Sequence, residues 1–363
     1  MRYFMDLKEK YFYKLPSDFN KYSNKNFLKY ALGANLYMNS LKDIYSKIMN
    51  GDFKNIASIT ICFEDSVRES DLKICEDNTI IILDKLYNSL RNKEINFEDI
   101  PLIFMRIRNI NQFIDFSSRL SKHHAPLISG FVFPKFNAEN AIEYLEHTRK
   151  LSNLFNEIFY VMPILESENI IYKETRMAEL IIIKDILDRY KDIILNIRVG
   201  GTDFSSKFAL RRSVNSNIYE VRVVGECLID IVNIFLRESS EYIISAPVWE
   251  YFSDDINSEE VQGLLNELRL DKENGFCGKT VIHPKQARYV NLAHIVSYEE
   301  YIDAVNIIDN SKEGGVFKGC SDNKMNEVLP HLNWAKKIVE KAEVYGVLNK
   351  GVKVDELYLE GNF

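Results

Sequence analysis

Short runs of β-branched, aliphatic and aromatic residues alternate along this chain with longer segments whose apolar residues recur every three to four positions, and that alternation restricts the fold more than any other feature. The runs cover residues 30–38, 57–63, 102–107, 130–134, 158–164, 193–199, 242–245 and 280–282. Helical spacing fills 40–49, 70–92, 110–121, 138–153, 172–190, 218–236 and 258–271. Eight strands separated by helices predict a closed (β/α)8 TIM barrel rather than an open doubly wound sheet. Neither a GxGxxG nor a GxxxxGK[ST] loop is present to favour a nucleotide-binding sheet. In the segment 172–190, Met177, Leu180, Ile181, Ile183, Ile186 and Leu187 form a stripe expected to be buried.

After the eighth run, 284–310 reads as helix, with Ser297-Tyr298-Glu299-Glu300 as a capping-box restart. A glycine-rich break at 313–319 and a terminal helix over 332–345 follow. The expected division is an N-terminal extension (1–27), the barrel (28–296) and a C-terminal helical extension (297–363) that packs on the barrel or on a neighbouring subunit.

The C-terminal ends of the runs are polar: Cys62-Phe63-Glu64-Asp65-Ser66-Val67, Met105-Arg106-Ile107-Arg108-Asn109, Phe133-Pro134-Lys135, Glu166-Ser167, Gly200-Gly201-Thr202-Asp203, Ser245-Ala246-Pro247 and His283-Pro284. In a parallel barrel these ends share one rim, where catalytic groups sit. One charge after a strand ordinarily caps the next helix. Polar residues at so many ends in succession are better read as a site. Glu166 and Asp203 each close an apolar run, and two carboxylates at one rim can share a hard divalent cation such as Mg²⁺, with Mn²⁺ as the alternative ion. Ser66, Ser167 and Cys62 have no spaced His partner that would make them nucleophiles. His283 is expected to hydrogen-bond the barrel mouth rather than to perform chemistry.

Composition narrows the partners. Basic residues number 46 and acidic 53, a net charge of −7 with the signs interspersed, which argues against nucleic acid. No apolar run approaches the ~20 residues of a membrane span, and the first ten residues lack a signal peptide's apolar core. The five cysteines are scattered and never spaced CxxC, so neither a disulfide framework nor a zinc site is indicated and a reducing cytoplasm is the expected location.

The series Phe63-Glu64-Asp65-Ser66-Val67, Arg106-Ile107-Arg108-Asn109, Phe133-Pro134-Lys135, Pro163-Ile164-Leu165-Glu166-Ser167, Gly200-Gly201-Thr202-Asp203-Phe204 and Gly275-Phe276-Cys277-Gly278-Lys279-Thr280-Val281-Ile282-His283-Pro284-Lys285-Gln286 resembles the citrate lyase beta subunit and malyl-CoA lyase family, relatives of the 2-oxoacid aldolases, over about residues 28 to 345. The last block is its most specific element. Leu32-Gly33-Ala34-Asn35-Leu36-Tyr37-Met38 and the Met-Asn-Glu, Pro-His and Trp-Ala run at 325–335 look more like the divergent lyase branch associated with bacterial tellurium-resistance gene clusters.

The resemblance implies a Mg²⁺-dependent carbon–carbon lyase acting, by cleavage or condensation, on a small 2-oxo or hydroxy acid, with a CoA thioester among the candidate substrates. Glu166 and Asp203 fall on the family's metal ligands, and Arg106 on its substrate arginine, which would hold an enolate-like oxygen. An ion pair from Arg106 to Glu64 or Asp65 is compatible with that role. Of Glu64 and Asp65, one would bond metal-bound water and the other brace the rim, with the assignment open. Lys135 would orient these acids or cap its strand, and Gly201 and Thr202 would border the substrate. The family's C-terminal segment lends an acidic residue to a neighbouring active site. Here alignment on Met325 favours Glu327 and alignment on acid type favours Asp322, so the proton-transfer residue is open between them. Such sharing requires a homo-oligomer, with a trimer favoured. The rival readings are a thioester hydrolase on the same site and a non-catalytic scaffold of a biosynthetic cluster.

Overall fold

The computed structural model describes residues 1–238, 240–358 and 360. Eight parallel strands follow one another around the sheet: β1 (Ala34–Met38), β2 (Ser58–Cys62), β3 (Leu102–Arg106), β4 (Ile128–Phe133), β5 (Tyr160–Leu165), β6 (Ile197–Val199), β7 (Ile244–Ser245) and β8 (Lys279–Val281). β8 returns to pair with β1. The ring closes between β7 and β8 through the Ala246–Lys279 bridge, where the Ala246 N–H donates to Gly278 O at 2.9 Å. This is the (β/α)8 barrel that the alternation predicts.

Helices α1 (Ile44–Met49), α2 (Leu72–Arg91), α3 (Ile110–Ser118), α4 (Ala141–Phe155), α5 (Lys173–Arg189), α6 (Arg222–Phe235), α7 (Glu259–Glu273) and α8 (Pro284–Leu292) come after β1 to β8 in turn. Polar side chains cap some of these starts: Asn109 accepts from the Gln112 N–H before α3, and Ser258 from the Val261 N–H before α7. Strand residues facing outward are apolar and pack on these helices, as where Phe113 of α3 meets Phe131 and Phe133 of β4 at 4.6 and 5.3 Å. The inward face is unusually polar. Asn35 donates to Ser58 Oγ at 2.9 Å and accepts from Thr60 Oγ1 at 2.7 Å. Bulky branched residues usually fill this space.

Several boundaries differ from the sequence reading. Residues 30–33 are not strand, because Gly33 turns the chain at a φ of +50° before β1. Residues 193–196 make a single bridge from Ile194 to Val161, and the β6 ladder begins at Ile197. On α5, Leu180, Ile183, Ile186 and Leu187 are buried, whereas Met177 and Ile181 face outward and are exposed. The predicted stripe is too wide, because a helix on a barrel buries one narrow face against the strands.

The segment 284–310 is two helices, α8 and α9 (Tyr298–Asp309). The second starts at the Ser297–Glu300 capping box that the sequence marks. The glycine-rich stretch leads into an antiparallel hairpin of Val316–Lys318 with Met325–Glu327, which the sequence reading left unassigned. α10 (Val328–Tyr345) begins earlier than expected, with Pro330 in its first turn where a missing N–H costs nothing. α9 and α10 pack through Ala304, Ile307, Ala335, Ile338 and Ala342.

Near the N-terminus, Phe12–Lys14 pairs antiparallel with Val347–Leu348, and the Tyr3 and Tyr345 hydroxyls donate to Ala31 O and Tyr30 O at 2.8 and 2.6 Å. These contacts lie just before β1, so the two ends of the chain close the end of the barrel opposite the strand C-termini. All five cysteines are free, with Cys320 exposed and the other four buried. Among the described residues, no helix is long and apolar enough to cross a membrane.

Candidate active site

A cavity of about 240 Å³ opens at the C-terminal rim, lined by residues that include Tyr37, Asp65, Arg106, Glu166, Arg198, Gly201, Thr202, Asp203 and Thr280. At its centre, Arg106 ends β3 with its side chain buried. Its Nη2 lies 2.7 Å from Glu64 Oε2, 3.1 Å from Asp65 Oδ2 and 3.4 Å from Glu166 Oε1. Three carboxylates from two strand ends, β2 and β5, thus converge on one guanidinium nitrogen, while the buried Nε has no partner. The ion pair to Glu64 and Asp65 anticipated from sequence is present.

Glu166 follows β5 and is buried. Its Oε1 accepts from the Lys135 backbone N–H at 2.9 Å as well as from Arg106. Lys135 presents that N–H from a left-handed turn, with φ at +49°, a strained conformation for a residue with a Cβ. No donor among the described residues reaches Oε2. That oxygen lies against Gly200, where a Cβ would come within 2.2 Å of it, so glycine makes room for the carboxylate. Burial pushes the Glu166 carboxyl up to about 8; Arg106 pulls it down and the Asp203 charge adds to the rise. Asp203 is half-buried in the short helix Gly201–Ser206 after β6.

The second carboxylate pair is asymmetric. Burial raises the Glu64 carboxyl, with the hydrogen bond to Asp65 acting the same way. Burial works against ionised Asp65 too, yet its bond with Glu64 and the charges of Arg106 and Lys135 hold it low. Lys135 Nζ donates to Glu64 Oε1 at 2.5 Å and sits 3.8 Å from Asp65 Oδ1, so its side chain orients these acids. Thr202 is exposed and its Oγ1 lies 3.4 Å from Glu250 Oε1.

Glu166 and Asp203 fit a hard cation. One buried carboxylate has an unbonded oxygen, the other raises its proton affinity, and a positive ion between them relieves both conditions. Among the described residues no set of three or more His, Cys, Asp or Glu forms a closed metal cage. A two-carboxylate site that keeps positions for water and substrate is the arrangement Mg²⁺ favours.

Other residues singled out in the sequence lie elsewhere. His283 caps α8, accepts from the Lys285 N–H and stacks on Phe252 at 4.1 Å. Gln286 donates to Trp249 O and Tyr251 O, and Lys279 is wholly buried between Glu267 and Asp271 at 2.9 and 2.8 Å. The most specific sequence block is therefore mostly a clamp holding β8, α7 and α8. Glu327 and Asp322 sit on the C-terminal hairpin, not in the cavity lining of their own chain; Asp322 is 3.8 Å from Lys318 and the Glu327 N–H donates to His331 Nδ1. Sequence reasoning missed Tyr37, Arg198 and Thr280, which reach the cavity from within the barrel. The available signal was a charge inside an apolar strand, Ile197-Arg198-Val199.

The structure is similar to that of a citrate lyase from Burkholderia xenovorans (TM-score 0.63, 14% identity, covering 87% of this chain and 93% of that one). It is also similar to the CitE protein of Mycobacterium tuberculosis in complex with magnesium, acetoacetate and coenzyme A (TM-score 0.52, 16% identity, covering 86% and 99%). At these identities the likeness concerns the fold. No curated protein sequence matches the chain. Residues 26–347 match the family model described as C–C bond lyase of the TIM-barrel fold. With the barrel, the rim carboxylates and that match in place, the chain belongs to the C–C bond lyase family of the TIM-barrel fold.

Proposed function

We propose that this chain is a Mg²⁺-dependent lyase that breaks or forms a carbon–carbon bond next to a carbonyl in a small 2-oxo or hydroxy acid. The observation that carries the reading is the division of labour on Glu166: Oε1 is tied to Arg106 and Lys135, and Oε2 is left open in a cavity shared with Asp203. Mg²⁺ held by Glu166 and Asp203, with Mn²⁺ as the alternative, would supply a Lewis acid for the substrate's carbonyl or hydroxyl oxygen. Magnesium in the M. tuberculosis CitE complex supports this choice of ion, and coenzyme A in the same complex supports a CoA thioester as one form of the substrate.

In the cleavage direction a base takes the hydroxyl proton, a new carbonyl forms, and the electron pair of the breaking bond passes to the departing fragment as an enolate, which is then protonated. Arg106 places fixed positive charge beside the cavity where that negative charge develops. It uses Nη2 for the rim carboxylates and retains donors for a substrate oxygen. The Glu64–Asp65 pair, with one member raised and the other held low, is placed to hold a single exchangeable proton. Because Glu327 and Asp322 are absent from the cavity lining of their own chain, a role for either in proton transfer calls for a second copy, and a trimer is the assembly we favour. The cytoplasm is the proposed location.

The test is a melting-temperature rise on adding Mg²⁺ or Mn²⁺ that disappears in Glu166→Ala and Asp203→Ala. A panel of oxaloacetate, malyl and citramalyl thioesters, assayed for pyruvate or glyoxylate, then identifies the reaction. If metal binding survives both substitutions, the proposal fails.

A further inference from the structure

Among the described residues, every buried arginine or lysine except Arg198 has a carboxylate within ion-pair distance. Lys279 lies between Glu267 and Asp271, Arg212 pairs with Glu250 and Glu267, and Arg176 pairs with Asp230. Arg288 pairs with Asp6, Lys21 with Glu157, Lys29 with Glu340, and Arg106 with the rim carboxylates. Arg198 is 1% exposed and has none. Its Nη2 donates to Thr280 Oγ1 at 2.5 Å and the neutral Tyr37 hydroxyl is its other polar neighbour, while Nε and Nη1, three N–H donors in all, are buried without a well-formed hydrogen bond and without any anionic partner.

A buried cation is ordinarily paired, and an unpaired donor in the interior is costly. Arg198 is placed to meet an anion from outside the chain. It projects from β6 into the barrel and lines the same cavity as Arg106, Glu166 and Asp203. The Tyr37 ring lies between the two arginines, its centroid 5.5 Å from the Arg198 guanidinium carbon and 5.9 Å from that of Arg106, and the two positive charges oppose one another. Arg106 is neutralised by protein carboxylates, so the uncompensated charge belongs to Arg198. The cavity of about 240 Å³ is smaller than the roughly 300–1,000 Å³ typical of pockets for drug-sized ligands, which limits the enclosed part of the ligand to a small acid.

We propose that Arg198, with Thr280 fixing its guanidinium, binds a second carboxylate of the substrate, so that the acid taken by this site carries two free carboxylates, as oxaloacetate does and as the malyl and citramalyl thioesters, whose second carboxyl is esterified, do not. Arg198 is a specificity residue in this scheme. The inference deepens the lyase reading and rests on it for the identity of the cavity as the substrate site. The charge recognition itself uses neither Glu166 nor Asp203.

The experiment compares binding of malate, each enantiomer separately, with that of lactate, which lacks the second carboxylate. Calorimetry on the full chain is run in Mg²⁺ and again in EDTA. The wild type is expected to prefer malate at least tenfold under both conditions, Arg198→Met to lose that preference, and Arg198→Lys to keep part of it. Melting of Arg198→Met at or above the wild-type temperature is also expected, because the variant removes a buried charge that no protein group balances. An unchanged malate-to-lactate ratio in Arg198→Met overturns the proposal. A drop of several degrees in its melting temperature, which would mark the arginine as structural, does so as well. Failure of the metal reading shows separately, as a wild type that Mg²⁺ does not stabilise, while the ratio in EDTA still judges Arg198.

Discussion

The backbone N–H of Lys135 donates to Glu166 Oε1 at 2.9 Å, and this bond fixes which oxygen of the carboxylate remains available. It also leaves a buried acid whose ionisation is opposed by its surroundings. In the unfolded chain such a carboxyl releases its proton near 4.5; in the folded protein burial, reinforced by Asp203, defers release to about 8. Between those values the folded state holds a proton that the unfolded chain has lost, so Glu166 lowers stability as pH rises from about 4.5 to about 8. The total is on the order of a few kcal/mol. Melting temperature measured without metal should therefore decline over this range, the decline should flatten when Mg²⁺ is added, and Glu166→Gln should flatten it with no metal present. A metal-free slope that is the same in wild type and Glu166→Gln would contradict the assignment.

Gly200 has φ at −94°, which alanine adopts freely, so Gly200→Ala tests space without testing backbone strain. The added Cβ would overlap Glu166 Oε2 and turn the carboxylate away. Mg²⁺ affinity by calorimetry is expected to fall roughly 10- to 100-fold, the size of effect seen when a metal ligand loses its support. Wild-type Mg²⁺ affinity in the Gly200→Ala variant would show that Oε2 is not the oxygen that matters.

Arg106→Lys keeps a charge and loses the planar fork that meets Glu64, Asp65 and Glu166 together. Once a turnover assay is established, kcat should drop about 100- to 1,000-fold, the scale of losing a transition-state donor, with KM changing less. Arg106→Ala leaves Glu166 buried without its cation and Glu64 with Lys135 alone, and should destabilise the fold by about 3–5 kcal/mol in urea titration.

The barrel was legible because its signal is repetitive: eight β-branched runs and the helical segments between them repeat one unit. The discrepancies have local causes. At Gly33 an added Cβ would lie 2.4 Å from the Tyr3 hydroxyl and 2.5 Å from Asn291 Oδ1, so the turn there is set by residues far away in sequence. The C-terminal hairpin has three-residue strands whose outer residues are exposed, too short and too polar to show a period. The rim residues were found because charges at strand ends stand out. Arg198 and Tyr37 were not, because within a strand the inward direction follows from pairing register rather than from residue type.

Lys279, embedded in the most specific sequence block, invites a catalytic reading, yet its partners are Glu267 and Asp271 on α7, away from the cavity lining. Lys279→Met should cost about 3–5 kcal/mol of stability by stranding Asp271, which burial already holds up at about 6, and by leaving Glu267 with Arg212 alone. Any activity loss should follow the folded fraction, measured by circular dichroism alongside rate.

For the C-terminal acids the expected result is complementation. Glu166→Gln chains and chains carrying Glu327→Gln with Asp322→Asn should each be inactive alone. Mixed before assembly, a head-to-tail oligomer regains up to about a quarter of wild-type activity through sites that draw intact halves from two chains. Full activity of the Glu327→Gln, Asp322→Asn chains by themselves would remove both residues from catalysis.

The pairing of Phe12–Lys14 with Val347–Leu348 has a consequence for synthesis. The first strand of that pair leaves the ribosome hundreds of residues ahead of the second: Lys14 pairs with Val347, and even the Glu343 side chain that meets Lys14 from the terminal helix is 329 positions away. Throughout that interval the nascent chain carries Tyr3, Phe4, Phe12 and Phe19, all buried in the finished protein, with no partner strand to cover them. A chain interrupted before residue 347 would keep this sticky, unpaired edge permanently, so premature termination should yield aggregates rather than a trimmed enzyme.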